Sequence, residues 1–568
     1  MGTSAMNYQR ARDAWLQAAV LVLLGVAVFT PAIHGDWLHD DPVFVGGNEA
    51  VQSGSWGRMV LLWLDSDQVD YFPLSYTAFW VQRRLFGLNT TGYHLTTLLL
   101  HVANGLLLWK LLAKMSIPGS WFAALTFTIH PACVESVAWI SELKNTLSLF
   151  FFLPCCICWV MQDDAREGSR QKWLAAAAYF LFLLSMLAKP AAVAMPVVTL
   201  LYAWWKRGRI ESRDIVHAVP LFIISIVLGI VAIEFQHGRA IGAEKLPLGG
   251  IDSRIALGGM AILFYLATIF LPVNLLPLYP AWPINPPQLW QFMPWPIIAG
   301  AAWWMWKNRT TWGRQAIFAF GFFLLMIAPV LGFVGMAWMR LTWVADHFLY
   351  VPMIGPLTLL VAAGASWINA GDPRRRLVGT GAGVAMTVFL AVNTFLYSGQ
   401  WVDEDHLWEY TVARNDNAWL AHDRLGSLKL KRDDLEGALH HFRHASRLRP
   451  DLGGTKKNLG ALLLRQGKHD EAVIVLEEAL EASPWLRDTR GHLADAYCRV
   501  GRTEEALKLA AELLEGEPTN RGVRTTYAIA LFDSGDHTKA VEELERVLAL
   551  DPDFEPALKA RPRLGTPP

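Results

Sequence analysis

The chain is poor in cysteine and has no surplus of either charge. Its 568 residues include five cysteines, and 50 basic side chains balance 50 acidic ones. So few cysteines exclude a small secreted domain held together by disulfides. Without a basic surplus to neutralise phosphates, the composition gives no support for nucleic-acid binding. We therefore expect neither a disulfide framework nor a nucleic-acid partner.

Charged residues are scarce over most of the chain, and their distribution divides the sequence in two. Residues 1–399 hold 46 of the 100 charged side chains, whereas residues 400–568 hold 54. Hydrophobic residues make up 53% of the whole chain. This imbalance is typical of a membrane domain followed by a soluble one. It excludes a single soluble enzyme and a disordered scaffold.

Long apolar runs predict membrane helices, because a helix needs about 20 mostly apolar residues to cross a bilayer. The candidate spans are residues 14–33, 93–113, 119–133, 145–161, 173–188, 190–205, 215–235, 254–272, 290–306, 315–335, 348–368 and 378–397. Cys155, Cys156 and Cys158 lie in one of these spans. A single hydrophobic helix cannot arrange them around an ion, so we predict no metal site there.

The basic residues of the short loops predict the orientation of the spans. Arg10 and Arg12 place the amino terminus on the cytoplasmic side. If each span crosses the membrane, the later basic loops, up to the one that contains Arg213, fall on the same side. Strict alternation then fails unless the proline-rich segment 236–288 makes no net crossing. We predict about 11 crossings and an external carboxy-terminal domain, in the cytoplasmic (inner) membrane.

The soluble part repeats with a period of 34 residues. One proline and one alanine recur in each unit, and a glycine separates the two halves of the later units. The positions are Pro450, Pro484, Pro518, Pro552, Ala438, Ala472, Ala506, Ala540, Gly467, Gly501 and Gly535. This pattern resembles the tetratricopeptide repeat, in which stacked helix pairs form a concave groove. The groove is suited to an extended peptide; the alternative is that the array only dimerises the chain or supports a loop.

These features together predict an all-α protein, in which a polytopic membrane helix bundle precedes a tetratricopeptide-repeat α-solenoid. The predicted segments are a cytoplasmic amino terminus (1–13), a membrane domain (14–398) with a first external loop (34–92), a linker (399–416), four repeats (417–552) and a terminal cap or tail (553–568).

The first external loop carries the strongest chemical signal. Asp40 and Asp41 follow the first span directly. Two adjacent carboxylates near a low-dielectric boundary should hold their pKa values apart. One can then act as a general base while the other orients a partner or a metal. A solvated loop with a helix cap is the alternative.

Further ionisable residues lie on the same predicted side of the membrane. They are His94, His101, His130, Glu135, Lys144 and Lys189. A lone polar residue in a membrane helix often makes only a helix–helix hydrogen bond. Carboxylates, histidines and a lysine from several loops nevertheless indicate a shared cavity, in which a cation could hold a lipid phosphate.

The order of these motifs resembles the transmembrane and tetratricopeptide repeat-containing proteins and their bacterial relatives. That family is similar to the C-type glycosyltransferases, which include the protein O-mannosyltransferases. The resemblance rests on HDDPVFVGGNEAV, YFPLSYTAFWVQRRLFGLNTTGYHLTTLLLHVANGLLL, HPACVESVAWISELKNTLS, LLSMLAKPAAVAMPVVTLLYAWW and VADHFLYVPMIG, followed by the repeats. Phe72 stands where the family usually has Arg or Gln, and Asn145 stands where it favours Asp.

The resemblance implies an inverting transfer of a sugar, most often mannose, from a polyprenyl phosphate to Ser or Thr hydroxyls of secreted proteins. Asp40 falls where C-type enzymes carry their catalytic carboxylate, and Asp41 where the second acidic residue lies. Lys189, Arg340 and His347 are candidates for binding the lipid phosphate. The candidates for positioning the sugar or the acceptor are His94, His101, His130, Glu135 and Lys144.

No cofactor is certain, and a divalent cation is left open. Two other functions compete with protein glycosylation. The chain could transfer a lipid-linked sugar to a glycan, a lipid or a pilin, or it could be a non-catalytic scaffold for envelope assembly. A scaffold gives no reason for acidic and basic groups to converge on one face of the membrane. A glycan- or lipid-modifying enzyme gives little reason for a peptide-sized groove.

Overall fold

The structure is a computed structural model that describes residues 2–53, 55–64, 70–166, 168–242 and 246–564. Residues 54 and 65–69 of the predicted first external loop, and residues 565–568 of the predicted tail, lie outside this set. The contacts divide the chain into two compact units, Met1–Leu407 and Trp408–Pro568. The division falls within the predicted linker.

The described part of the first unit is helical and contains no strand. Its helices are α1 (Gly2–Phe29), α2 (Glu49–Gln52), α3 (Trp56–Leu61), α4 (Pro73–Phe86), α5 (Thr90–Lys114), α6 (Ser120–Thr128), α7 (Val134–Ala138), α8 (Leu143–Asp164), α9 (Ser169–Ala188), α10 (Met195–Arg207), α11 (Ser212–Phe235), α12 (Ile251–Phe270), α13 (Pro294–Lys307), α14 (Gly313–Ile327), α15 (Ile354–Asn369) and α16 (Pro373–Ser398). A further helix, α17 (Glu404–Val412), crosses the division between the units.

Among the described residues, eight helical segments are long and apolar enough to cross a membrane. They are Arg12–Ala32, Thr90–Lys114, Ile140–Asp164, Ser169–Ala188, Ser212–Ile241, Ile251–Phe270, Gly313–Val330 and Pro373–Trp401. Each coincides with a predicted span. The predicted spans 119–133, 190–205, 290–306 and 348–368 overlap the shorter helices α6, α10, α13 and α15. The chain is therefore a membrane protein.

Helix α8 separates two charged regions by about the thickness of a bilayer core. Lys144 lies in its first turn and Asp163 in its last, 19 residues later, which corresponds to about 28 Å of helix. Asp163 accepts from Lys206 Nζ at 2.6 Å and from Arg207 Nη1 at 2.7 Å. The basic loops that the sequence assigns to the cytoplasm thus meet at one end of α8. The loops that carry the acidic pair meet at the other.

The second unit is a regular stack of helix pairs. Its helices are α18 (Trp419–Lys431), α19 (Leu435–Leu448), α20 (Gly453–Arg465), α21 (His469–Ala482), α22 (Arg487–Arg499), α23 (Thr503–Gly516), α24 (Arg521–Asp533), α25 (His537–Leu550) and α26 (Glu555–Leu564). The alanines that recur every 34 residues are fully buried, because the paired helices approach closely there. This agrees with the predicted α-solenoid.

The turn between the two helices of a repeat requires a left-handed residue. Gly467, Gly501 and Gly535 adopt φ values of 75°, 79° and 95° there. Asp433 takes the same position in the first repeat with φ 63°. Glycine adopts this conformation without steric cost, whereas residues with a Cβ atom are strained.

Gly501→Ala should lower the stability of the repeat unit by about 1 kcal/mol. No atom lies within 4 Å of the added methyl group, so the effect would come from backbone conformation alone. Gly516→Ala, at the last residue of α23 and equally unobstructed, is the matched control and should be neutral or stabilising. Thermal unfolding of the purified full chain measures both. Equal effects of the two substitutions on the melting temperature would contradict the left-handed conformation of Gly501.

Candidate active site

The acidic pair lies in the turn that follows the first span, and Asp41 anchors that turn. Its Oδ2 accepts from the backbone N–H of Leu38 at 2.8 Å. Its Oδ1 accepts from the N–H and the hydroxyl of Ser141 at 2.7 and 2.5 Å. Asp41 is fully buried. Both of its oxygens therefore serve to join the first external loop to the segment before α8.

Asp40 has a different environment although it is the adjacent residue. Its Oδ1 is buried and has no hydrogen-bond partner. A buried polar atom without a partner is costly, so such atoms often mark a place where a substrate or an ion binds. Burial raises the pKa of Asp40 to about 6, and the nearby positive charge of Lys144 opposes this shift. Asp40 is therefore mostly ionised at neutral pH and can accept a proton.

Burial and the charge of Asp40 raise the pKa of Asp41 to about 8, against the hydrogen bonds from Ser141 and Leu38. The two carboxyl groups thus have separated pKa values, and Asp40 ionises first. The structure thus distinguishes an anchored carboxyl group, Asp41, from one with a buried oxygen that accepts no hydrogen bond, Asp40.

Glu142 is the centre of a buried charge cluster beside the acidic pair. Its Oε1 lies 2.8 Å from Lys144 Nζ, and its Oε2 lies 3.1 Å from Lys189 Nζ. The side chains of the three residues are 2%, 11% and 15% exposed. Lys144 Nζ also lies over the rings of Phe44 and Phe72, at 5.0 and 5.8 Å from their centroids. The predicted residues Lys144 and Lys189 thus meet at one carboxylate.

Asn145 and Phe72, where the chain departs from the family pattern, both fit this cluster. Asn145 Nδ2 donates to Glu142 Oε2 at 2.6 Å, a contact that an ionised Asp could not make. The Phe72 ring lies beside Lys144, where an Arg would bring another positive charge. Asn145 removes the negative charge of an Asp, and Phe72 removes the positive charge of an Arg. Together the two departures leave the net charge around Glu142 unchanged.

His347 and Glu135 form a second buried pair next to the cluster. Glu135 accepts from the backbone N–H of His347 at 2.9 Å, and its other oxygen lies 2.8 Å from His347 Nδ1. Asn145 Nδ2 also approaches the carbonyl of His347 at 3.3 Å. The ring of Trp338 packs edge-on against His347. The predicted residues Glu135 and His347 thus contact each other and connect to Glu142 through Asn145.

Arg340 lies at the end of the turn Ala337–Arg340 and is half-buried, and its Nε donates to the carbonyl of Ala337 at 3.1 Å. The backbone N–H of Ala337 donates to Gln236 Oε1 at 3.1 Å, and Gln236 Nε2 donates to Asp70. Burial raises the pKa of Asp70, and Lys144 opposes this shift. The turn that carries Arg340 is therefore connected to Asp70 through Gln236.

His94 and His101 bind backbone groups away from the charge cluster. His94 Nε2 donates to the carbonyl of Gly35 at 3.2 Å, which supports the chain just before the acidic pair. His101 Nε2 donates to the carbonyl of Thr128 at 2.9 Å, and its Nδ1 lies 2.8 Å from the hydroxyl of Tyr350. The two histidines share one face of α5, but only His94 is near the acidic loop.

His130 is also separate from Glu142. Its Nε2 donates to the carbonyl of Ile269 at 3.0 Å, and its Nδ1 accepts from the N–H of Ala132. Both nitrogens are thus used in holding the turn between α6 and α7. A direct contact with sugar or acceptor stays a prediction for His94, His101 and His130.

Ser141 and Asp70 belong to the site, but the sequence did not identify them. Ser141 carries no distinguishing pattern beyond its place next to Glu142. Asp70 precedes a proline-initiated helix in the first external loop, where the sequence contains other acidic residues. An acidic residue just before Pro73 was the available signal for Asp70, and only the tertiary contact with Gln236 singles it out.

Comparisons with known proteins identify the repeats. Models of the tetratricopeptide repeat match residues 424–484, 463–515 and 499–561. Among solved structures, YrrB, a tetratricopeptide-repeat protein with an unusual peptide-binding site, is 20% identical, with a TM-score of 0.25 over 28% of this chain and 80% of its own. A MamA structure from RS-1 is 19% identical, with a TM-score of 0.24 over 27% of this chain and 87% of its own.

Curated relatives confirm the resemblance to the transmembrane and tetratricopeptide repeat-containing proteins. Protein O-mannosyl-transferase TMTC2 of Mus musculus is 25% identical over 244 residues, which is 40% of this chain and 28% of that protein. Protein O-mannosyl-transferase F38B6.6 of Caenorhabditis elegans is 25% identical over 160 residues, 26% of this chain and 23% of that protein. The match thus spans about a quarter of each relative's length.

Glu142→Gln should destabilise the membrane unit by about 3 kcal/mol, because it leaves two buried ammonium groups without their shared carboxylate. Glu49→Gln is the control, since its ion pair with Arg58 is 3.7 Å long and largely exposed. Thermal unfolding of both variants in detergent measures the difference. A melting temperature of Glu142→Gln equal to that of the control would show that the cluster does not hold the loops together.

Proposed function

We propose that this chain is an inverting membrane glycosyltransferase that moves a hexose, most often mannose, from a polyprenyl phosphate to Ser or Thr hydroxyls of exported proteins. The observation that carries this proposal is the environment of Asp40. Asp40 has a buried carboxylate oxygen without a partner, it adjoins the anchored carboxyl group of Asp41, and the charge of Lys144 lies near enough to lower its pKa. The names of the relatives, all protein O-mannosyl-transferases, support the same class of activity.

The reaction requires a base at the acceptor hydroxyl and positive charge at the departing phosphate. Asp40 takes the proton of the acceptor hydroxyl. At the same time the hydroxyl oxygen attacks the anomeric carbon on the face opposite the phosphate. The new bond joins that carbon to the acceptor oxygen, and the bond to the phosphate oxygen breaks. The carrier leaves as polyprenyl phosphate, so no general acid is needed. A well-placed base contributes roughly 10²–10⁴ to the rate.

The charge that develops on the departing phosphate must be stabilised by cations. Lys189 is the strongest candidate, because it lies beside Glu142 and retains some exposure. Arg340, on the turn that connects to Asp70 through Gln236, is the second. His347 is held by Glu135 and is better suited to fixing the loop than to contacting the phosphate.

The lipid chain of the donor needs an apolar channel, and the membrane unit contains one. A cavity of about 990 Å³ is lined almost wholly by apolar side chains. They include Leu111, Phe152, Met195, Leu266, Phe323 and Ile354. Phe152 lies on the same helix as Lys144, about 12 Å further along α8. A polyprenyl chain in this cavity would bring its phosphate toward the lysines.

The repeats are proposed to recruit the acceptor. Stacked helix pairs form an extended surface that fits a peptide segment, and no acid–base group is needed there. Transfer to a glycan, a lipid or a pilin would leave this surface without a role. A scaffold would not require charged groups to be buried at the acidic loop, where their desolvation is costly.

Asp40→Asn should abolish transfer from a polyprenyl-phosphate sugar to an acceptor peptide by the purified protein. Transfer by the wild-type protein should fall about tenfold for each pH unit below about 6, because protonation removes the base. The exposed Asp36→Asn, in the same loop, is the control and should keep both the rate and this pH dependence.

Asp40→Asn should not lower the stability of the folded protein. The raised pKa means that ionised Asp40 is less favourable in the folded protein, so folding stability is lost as pH rises through about 6. Asp40→Asn removes this unfavourable buried charge. At pH 8 the variant should therefore melt at the wild-type temperature or above it. Near-wild-type transfer by Asp40→Asn would contradict the mechanism.

The proposed orientation places the acidic loop and the repeats in the periplasm. A cysteine at the exposed position Lys431 should react with a membrane-impermeant thiol reagent added to intact spheroplasts. A cysteine at the exposed Ser169, in the loop assigned to the cytoplasm, should react only after the membrane is opened. Cys498, which is half-buried, is first replaced by Ser. The reverse labelling would place the repeats in the cytoplasm.

A further inference from the structure

The chain that leaves α16 contacts the loop that carries the acidic pair. Residues 401–404 form the anchor segment, which runs from the end of a short turn into the first turn of α17. The N–H of Asp36 donates to the carbonyl of Val402 at 2.7 Å, and the N–H of His39 donates to Glu404 Oε1 at 3.1 Å. Two hydrogen bonds thus join the acidic loop to a segment about 365 residues later in the sequence.

Side-chain packing and close backbone approach support these two hydrogen bonds. The ring centroid of Trp139 lies 5.7 Å from that of His39 and 6.1 Å from that of Trp401, and both tryptophans are buried. A Cβ atom on Gly35 would lie 3.1 Å from the carbonyl oxygen of Val402, so only glycine fits there without displacing a neighbour. The anchor segment is therefore packed against the acidic loop within the membrane unit.

The residue that Glu404 holds has a sterically unfavourable backbone conformation. His39 has a φ of 46°, in the left-handed region that residues with a Cβ atom rarely adopt. Such conformations persist where surrounding contacts hold them, and they occur frequently at active sites. Because His39 directly precedes Asp40, its backbone angles set the direction in which the chain enters Asp40. Release of the His39 N–H would therefore allow the Asp40 carboxylate to move.

We propose that Glu404 is a positioning residue, which fixes the backbone before Asp40 so that this carboxylate meets the acceptor hydroxyl. The inference rests on the proposed function of Asp40 as the base. Glu404 takes no proton in the reaction and needs only to accept the hydrogen bond from His39. A positional error of about 1 Å can cost roughly 10²-fold in rate. Loss of this hydrogen bond should therefore lower kcat and leave the KM values of donor and acceptor nearly unchanged.

Three substitutions at Glu404 separate its position from its charge in a transfer assay with the purified full chain. Glu404→Ala removes the acceptor and Glu404→Asp withdraws it by one methylene, so each should lower kcat about tenfold or more. Glu404→Asp does so although it keeps the negative charge that favours the beginning of α17. Glu404→Gln keeps an oxygen at the same reach and should retain most of the wild-type kcat. Glu409→Ala, which removes an exposed acid from the same helix, is the matched control.

The pH dependence of transfer excludes a direct effect of charge. If Glu404 acted on Asp40 through its charge, Glu404→Gln would move the pH at which transfer falls by half. A positioning role leaves that pH unchanged in Glu404→Gln. A shifted midpoint in Glu404→Gln, or equal kcat values for Glu404→Ala, Glu404→Asp and the wild-type chain, would overturn the proposal.

Hydrogen exchange tests the contact independently of sugar transfer. The peptide that contains His39 should exchange faster in Glu404→Ala and Glu404→Asp than in the wild-type chain, Glu404→Gln or Glu409→Ala. Unchanged exchange in Glu404→Ala would show that Glu404 does not hold the acidic loop. Faster exchange with unchanged kcat would overturn the positioning role and leave the proposed function intact. Faster exchange in a chain whose wild-type form transfers no sugar would instead contradict the proposed function, and with it the role of Glu404.

Discussion

Two lysine ammonium groups share one carboxylate at the beginning of α8, and this arrangement holds the surrounding loops in place. Glu142, Lys144 and Lys189 have little access to water, so each charge depends on the others for its stabilisation. Asn145 extends the network from Glu142 to the backbone of His347. Segments that are far apart in sequence therefore meet at one end of the helix bundle, and the acidic pair is positioned against them.

The acidic pair shows how adjacent residues acquire different roles. Both carboxylate oxygens of Asp41 accept hydrogen bonds, one from Leu38 and one from Ser141, and these bonds fix the turn. Asp40 keeps a buried oxygen without a partner, and burial raises its pKa to about 6. Separating the pKa values of two neighbouring carboxyl groups is a common way to obtain a base that works near neutral pH. One dipeptide thus contains both the carboxylate that anchors the turn and the carboxylate that we propose as the base.

The parts of this architecture that depend on local pattern could be predicted, and those that depend on tertiary contacts could not. The 34-residue spacing predicted the repeat helices, because each repeat packs only on its neighbours. Apolar runs predicted the eight long helices. Hydropathy did not reveal that α6 ends at Thr128, since the residues around His130 are apolar although the helix is interrupted. Asp40, Asp41, Lys144 and Lys189 were identified as candidates, whereas Ser141 and Asp70 join the site through contacts about 100 and 166 residues away in sequence.

The central claim is that Asp40 serves the transfer of a hexose to exported proteins. It is tested most directly by intact-mass analysis of periplasmic proteins from cells that express the wild-type chain, the Asp40→Asn chain or neither. The account predicts a hexose on Ser or Thr residues of some proteins only when the wild-type chain is present. The same hexose in cells with the Asp40→Asn chain, or its presence without either chain, would contradict the claim.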